Sequence, residues 1–213
     1  MKIAIIGAGN VGGSLAGAWI ARGHEIRFGV RDTNDAQLKS LLASLGPKAS
    51  AHANAEAVHG ADAVVLATPW PATRAAIESC GPLSGRIVVD CTNPLLPNLA
   101  GLEHGLTTSG AEQVAAWAKG ARVYKCFNQT GAENMGNQKG YAQPLAMFVA
   151  GDEPEGKRLV LGLAKDAGLD GLDAGPLSSA RLLEPLAMLW IHMAYRMGLG
   201  RDFAMALVRR GAG

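Results

Sequence analysis

Residues 1–16, MKIAIIGAGNVGGSLA, decide how the rest of the chain is read. Ile3 to Ile6 is a short apolar run, the mark of a strand buried on both faces. From Asn10 to Arg22 the spacing sets Val11, Leu15, Ala18 and Trp19 on one helical face, and Gly23 stops the helix. Between the two lies Gly7-Ala8-Gly9-Asn10-Val11-Gly12, a G-x-G-x-x-G run. Such a run is weak evidence alone; between a strand and a helix it is a dinucleotide fingerprint. Gly7 permits the tight turn, Gly9 lets a pyrophosphate approach the backbone, and Gly12 lets the helix pack on the strand. Asn10 and Val11 open the helix, whose first N–H groups face an anion.

Working outward, strand and helix alternate almost throughout. Strands are predicted at 26–30, 49–52, 63–67, 87–90 and 123–127, with weaker ones at 145–150 and 169–173. Helices are predicted at 35–45, 72–80, 111–118 and 155–167, with a short turn at 56–59. This is the pattern of βαβ units. The fold class it implies is α/β: a Rossmann-type, doubly wound, mostly parallel sheet. Residues 1–177 form that domain, and 178–213 a C-terminal helical segment. A long apolar helix is expected over 180–197, kinked or restarted at Pro185. It is apolar nearly all round, which asks for cover on more than one side and points to a homodimer.

Bulk properties exclude several classes. The chain has 213 residues and a formal net charge of +2, with no basic block, so neither nucleic acid nor a membrane surface is indicated. No apolar run reaches transmembrane length, and a strand follows Met1-Lys2 directly, so no signal peptide is expected. Cys80, Cys91 and Cys126 form neither a disulfide framework nor a zinc pattern; they are expected to be reduced, in a cytoplasmic protein. The five histidines make no metal-ligand pattern, and no metal is expected.

The second strand ends in RFGVRDTND, residues 27–35. An acidic residue is usual here, because it holds the ribose hydroxyls and repels a 2′-phosphate. Arg31 does the reverse: its planar fork clamps a phosphate and stacks on adenine. The coenzyme implied is NADP(H). Lys39 reads as a solvated helix face.

Ligands of such sheets lie beyond the carboxyl ends of the strands. Those ends carry Thr68-Pro69-Trp70, Thr92-Asn93-Pro94 and Asn128-Gln129-Thr130. Amides and hydroxyls suit the holding of a nicotinamide, since hydride transfer asks for positioning more than proton chemistry. Thr68, Pro69, Trp70, Asn93, Pro94 and Asn128 are therefore candidate coenzyme contacts, with Asn128 and Asn93 as candidate catalytic positioning groups.

The segments MKIAIIGAGNVGGSLA, GHEIRFGVRD, AVVLATPW, VVDCTNPL and KCFNQTGAENM resemble, in order, the coenzyme F420-dependent NADP oxidoreductases. The cytosolic domains of the STEAP metalloreductases are similar. The resemblance implies hydride transfer between NADP(H) and coenzyme F420, or FMN or FAD in a flavin or ferric reductase. It also implies a Ser/Thr-Arg pair on the 2′-phosphate. Val30 stands where the hydroxyl belongs, and Thr33 is the candidate substitute. Two other readings remain: a non-catalytic NADP(H) sensor, and a dehydrogenase of hydroxy acids or imines, for which Lys125 is the nearest catalytic candidate.

Overall fold

The computed structural model describes residues 1–210; residues 211–213, the end of the expected C-terminal segment, lie outside the described residues. The N-terminal run forms β1 (Lys2–Ile6), followed by α1 (Asn10–Ala21), β2 (Glu25–Gly29), α2 (Ala36–Leu45) and β3 (Ala49–His52). Then come α3 (Asn54–Val58), β4 (Ala63–Leu66), α4 (Trp70–Ser79) and β5 (Ile87–Asp90). The chain continues through α5 (Gly110–Trp117), β6 (Arg122–Lys125), β7 (Ala146–Gly151), α6 (Pro154–Asp166), β8 (Asp170–Asp173) and α7 (Ala180–Ile191).

All eight strands join one sheet in the order β3-β2-β1-β4-β5-β6-β7-β8. The first six are parallel. β7 runs antiparallel to β6, and β8 parallel to β7. The order reverses between β1 and β4, which makes that crevice the topological switch point of a doubly wound sheet.

Period two explains why both faces are covered. Ile3 and Ile5 of β1 join Leu15, Trp19 and Phe28 under α1 and α6. Ala4 and Ile6 join Val64, Leu66 and Val88 under α3, α4 and α5. Each central strand is thus buried on both sides, and its sequence is apolar without alternation.

Several boundaries differ from expectation for physical reasons. α4 starts at Trp70, two residues early, because Pro71 fits a helix's first turn. β6 stops at Lys125 rather than Phe127, since Phe127 adopts a left-handed conformation (φ 60°) that ends the ladder. The short helix lies at Asn54–Val58 rather than 56–59. α7 runs through Pro185 without a break, and the α-helix ends at Ile191 rather than Met197. A π-helical turn, His192–Arg196, follows it. Proline in the second turn deletes one backbone bond, and the side chains of Arg181 and Glu184 anchor the turn before it to Glu112 and to the Gly110 N–H.

A Cβ added at Gly12 would stand 2.3 Å from the Gly7 carbonyl oxygen, where neither backbone can yield. Gly12→Ala should therefore cost about 1–3 kcal/mol, the scale of forced overpacking. Urea unfolding followed by circular dichroism will show a lower midpoint at unchanged slope.

Candidate functional site

Three glycines shape the β1–α1 turn, each differently. Gly7 has φ +103°, and a Cβ there would lie 2.7 Å from the Ala67 carbonyl oxygen, so the turn packs hard against the end of β4. Gly12 brings α1 onto that turn. A Cβ at Gly9 would meet nothing within 4 Å, so this glycine keeps space open rather than avoiding a neighbour. Gly9 is also the N-cap of α1, and no side chain caps that helix start. Open space above an uncapped helix N-terminus fits a pyrophosphate.

At the end of β2, Arg31 is exposed. Its two acidic neighbours are engaged elsewhere. The Asp32 carboxylate accepts from the Asn34 N–H at 2.8 Å, and Asp35 caps α2 by accepting from the Leu38 N–H at 2.9 Å. Among the described residues Arg31 has no ion-pair partner, which leaves its guanidinium free for a ligand. Thr33 is exposed in the same turn. Val30 packs on the core, and its N–H donates to the His52 carbonyl at 3.0 Å.

The ends of β4, β5 and β6 are wired to one another. The hydroxyls of Thr68 and buried Thr73 lie 2.9 Å apart. Trp70 stacks at a tilt on Trp117, 5.2 Å between ring centres, and its indole N–H donates to Glu103 at 2.7 Å. Those contacts place its ring in the core under α5. The Asn93 amide donates to the Asn128 carbonyl at 2.9 Å, and the Asn128 amide donates back to the Asn93 side-chain oxygen at 3.0 Å. Asn128 also donates to the Leu183 carbonyl of α7 at 3.2 Å and accepts from Gln129 at 2.5 Å. Both of its amide hydrogens are thus taken by the protein. Phe127, just before it, carries the left-handed backbone, with its ring edge-on to Trp19 at 5.6 Å. A bulky residue held at positive φ stores strain, and here it turns the chain so that Asn128 meets Asn93.

Beneath this pair lies a buried ionic triad that no local pattern announces. The Lys125 ammonium is fully buried, 2.8 Å from Asp90, 2.8 Å from Glu184 and 2.6 Å from the Thr92 carbonyl. Asp90 also accepts from the Thr92 N–H and hydroxyl. Glu184 accepts from the Gly110 and Ala111 N–H groups at the start of α5. The second negative charge is thereby offset by a helix N-terminus. Burial pulls the Lys125 pKa down, but the two carboxylates outweigh it and hold the ammonium above the ordinary lysine range. Lys125 thus fixes the strand ends that carry Thr92 and Asn93; it is a structural cation inside the sheet. Pro94 is buried and packs against Gly110 at the start of α5.

A cleft of about 500 Å³ opens over the phosphate loop. Gly9, Asn10 and Ser14 form one wall, Gln37 and Leu41 of α2 another, and Glu133 with Arg201 a third. Arg31, Thr33 and the strand ends from Thr68 to Asn128 lie outside it, along the same carboxyl edge of the sheet. Sequence reasoning missed Ser14, Gln37, Glu133 and Arg201. Arg201 comes from the far end of the chain and reaches the loop only through tertiary folding.

An uncapped helix start, three differently constrained glycines and a reversal of strand order beside them are the features of the doubly wound, dinucleotide-binding class of fold. The comparisons with known proteins are specific. The chain belongs to the family described as NADP oxidoreductase coenzyme F420-dependent, whose pattern matches residues 2–94. A candidate F420-dependent NADP-reductase from Arthrobacter sp. FB24 is 32% identical; the match covers 98% of this chain and 100% of that one, with a TM-score of 0.88. A hypothetical protein of Sinorhizobium meliloti is 28% identical over 84% of this chain and 88% of the other, with a TM-score of 0.72. Rat Metalloreductase STEAP3 is 31% identical over 189 residues, 88% of this chain. The chain spans 36% of that curated relative's length.

Lys125→Met would leave Asp90 and Glu184 buried without their counter-ion. The expected loss is about 3–5 kcal/mol, typical of breaking a buried pair. The lysine's folded-state pKa is raised, so its contribution is present at neutral pH and is lost as strongly alkaline pH strips the ammonium. Denaturant melts at neutral pH check the loss, and wild-type melts at rising alkaline pH check its sign.

Proposed function

We propose that this protein transfers a hydride between NADP(H) and a deazaflavin of the coenzyme F420 type. The observation that carries the coenzyme half is Arg31, exposed beside the phosphate loop with both neighbouring carboxylates engaged by backbone. The acceptor half rests on the family and on the Arthrobacter relative. When bound, the reduced coenzyme supplies the hydride. The chain's own part is to bind and position. Gly7, Gly9, Asn10, Val11 and Gly12 receive the pyrophosphate at the start of α1, and Arg31 with Thr33 receives the 2′-phosphate. Thr68, Pro69, Trp70 and Pro94 build the adjoining strand-end walls, Trp70 from within the core. Asn93 and Asn128, locked to each other, set the orientation of the reacting edge as positioning groups. No acid–base pair is required, because a hydride moving between two rings carries its own electron pair.

The STEAP3 similarity favours one second reading, an NADPH-dependent flavin (FMN or FAD) or ferric reductase. A non-catalytic NADP(H) sensor is the reading that tight binding without turnover would favour. The apolar residues Leu182 and Leu189 stand exposed on α7, which supports a homodimer through that helix. Three free, buried cysteines fit a reducing, cytoplasmic setting. No helix among the described residues is long and apolar enough to cross a membrane.

Arg31→Ala tests the coenzyme assignment. It should weaken NADPH binding by about 1.5–3 kcal/mol, the scale of hydrogen bonds to charged groups, and leave NADH nearly unchanged. Equal losses for both coenzymes, read by titration, would remove the 2′-phosphate assignment.

A further inference from the structure

The chain's C-terminal tail returns across the molecule to the phosphate loop. It is anchored beyond the cleft at several points. The Phe203 carbonyl accepts from the Trp190 indole at 2.9 Å and from Asn134 at 3.1 Å, and the Phe203 ring stacks on Trp190 at 5.2 Å. The Met205 carbonyl accepts from the Ala146 N–H at 2.8 Å, tying the tail to β7. These contacts carry Arg201 to the wall of the cleft that Gly9 and Asn10 line. There its guanidinium donates to Glu133 at 2.7 Å, contacts the Tyr195 hydroxyl, and lies 6.0 Å from the Trp190 ring centre and 5.6 Å from that of Tyr195.

Among the described residues that line the cleft, Glu133 and Arg201 are the two charged ones. A carboxylate there is a paradox, because the same cleft opens on an uncapped helix start that attracts anions. Unpaired, Glu133 would repel a phosphate. Burial pushes its carboxyl up, but the hydrogen bond and charge of Arg201 outweigh this and keep it ionised. The pair is partly open to water, with side-chain exposures of 36% and 40%, so separating it costs little. A pyrophosphate offers the guanidinium more oxygens than one carboxylate does, and a planar fork suits it.

We propose that Arg201 is a coenzyme-binding residue that engages the dinucleotide's pyrophosphate, and that Glu133 occupies its guanidinium, in competition with the coenzyme, while the cleft is empty. Loading exchanges one anion for another at the same guanidinium and leaves Glu133 to the solvent side. The assignment rests on the proposed function, since it takes the cleft over the phosphate loop as the coenzyme's site. It gives the tail a role distinct from that of Arg31. Arg31 separates NADPH from NADH, whereas Arg201 serves the pyrophosphate that the two share.

The test is equilibrium titration of NADPH and NADH, read by quenching of tryptophan fluorescence, on the full chain and on Arg201→Ala and Glu133→Gln. Arg201→Ala should weaken both coenzymes by a similar factor, about tenfold or more. Glu133→Gln should tighten both, because it removes a like charge and frees the arginine. If Arg201→Ala fails to fold, as thermal melting would reveal, the Glu133→Gln result decides alone. No change in either variant overturns the assignment, as does weaker binding by Glu133→Gln. A loss confined to NADPH would place Arg201 on the 2′-phosphate and overturn it too. If the wild type binds neither coenzyme, the proposed function fails with it. If the wild type binds and Arg31→Ala loses its preference for NADPH while Arg201→Ala is silent, only the Arg201 assignment falls.

Discussion

The site depends on a place where two stretches of backbone come too close for any side chain. Gly7 lies against the Ala67 carbonyl, and Gly12 lies against the Gly7 carbonyl. The first contact sets the turn against β4, at the switch point of the sheet; the second sets α1 over β1. Together they aim the bare start of α1 into the crevice where the strand order reverses. Gly9, free of both constraints, then faces empty space. The same six residues thus close a turn, dock a helix and leave open space at its start. A change at either contact would move the helix start, and with it the partial charge on which anion binding relies.

A second constraint lies deeper. Lys125, Asp90 and Glu184 tie β6, β5 and α7 together in the middle of the fold, and Glu184 ties α7 to the start of α5. Such a cluster adds little net stability over an apolar core of the same volume. What it supplies here is placement. Thr92 is bonded to it through its N–H, hydroxyl and carbonyl, and the next residue, Asn93, pairs with Asn128. The strain at Phe127 is held by the same surroundings, with its ring buried against Trp19 and its N–H given to the Met147 sulfur.

Much of this was legible in the sequence, and the division has a physical basis. The doubly wound sheet follows from apolar runs and helical stripes, which are local periodicities. The glycine fingerprint and Arg31 are legible because their positions are fixed relative to a strand that can itself be read. Lys125 shows the limit: a lysine just before a strand-end loop is the nearest catalytic candidate by position although it lies inside a strand, and only the approach of Glu184 from 59 positions further along shows that its charge is already answered. Trp70 shows the same limit, since its partner Trp117 lies on another helix. The antiparallel turn of β7 and the return of Arg201 to the phosphate loop are also products of long-range packing. The boundary shifts at α4, β6 and α7 arose where proline or a left-handed residue competed with periodicity.

The central claim is hydride transfer from NADPH to a deazaflavin, and anaerobic NADPH oxidation by the purified protein tests it most directly. Coenzyme F420, FMN, FAD and a ferric chelate would be offered in turn and followed at the nicotinamide absorbance band, with NADH as the parallel donor. Rapid turnover with F420 and NADPH, and little with the other acceptors or with NADH, is the result predicted. Turnover with flavin or iron but not F420, or tight NADPH binding without turnover on any acceptor, would contradict it.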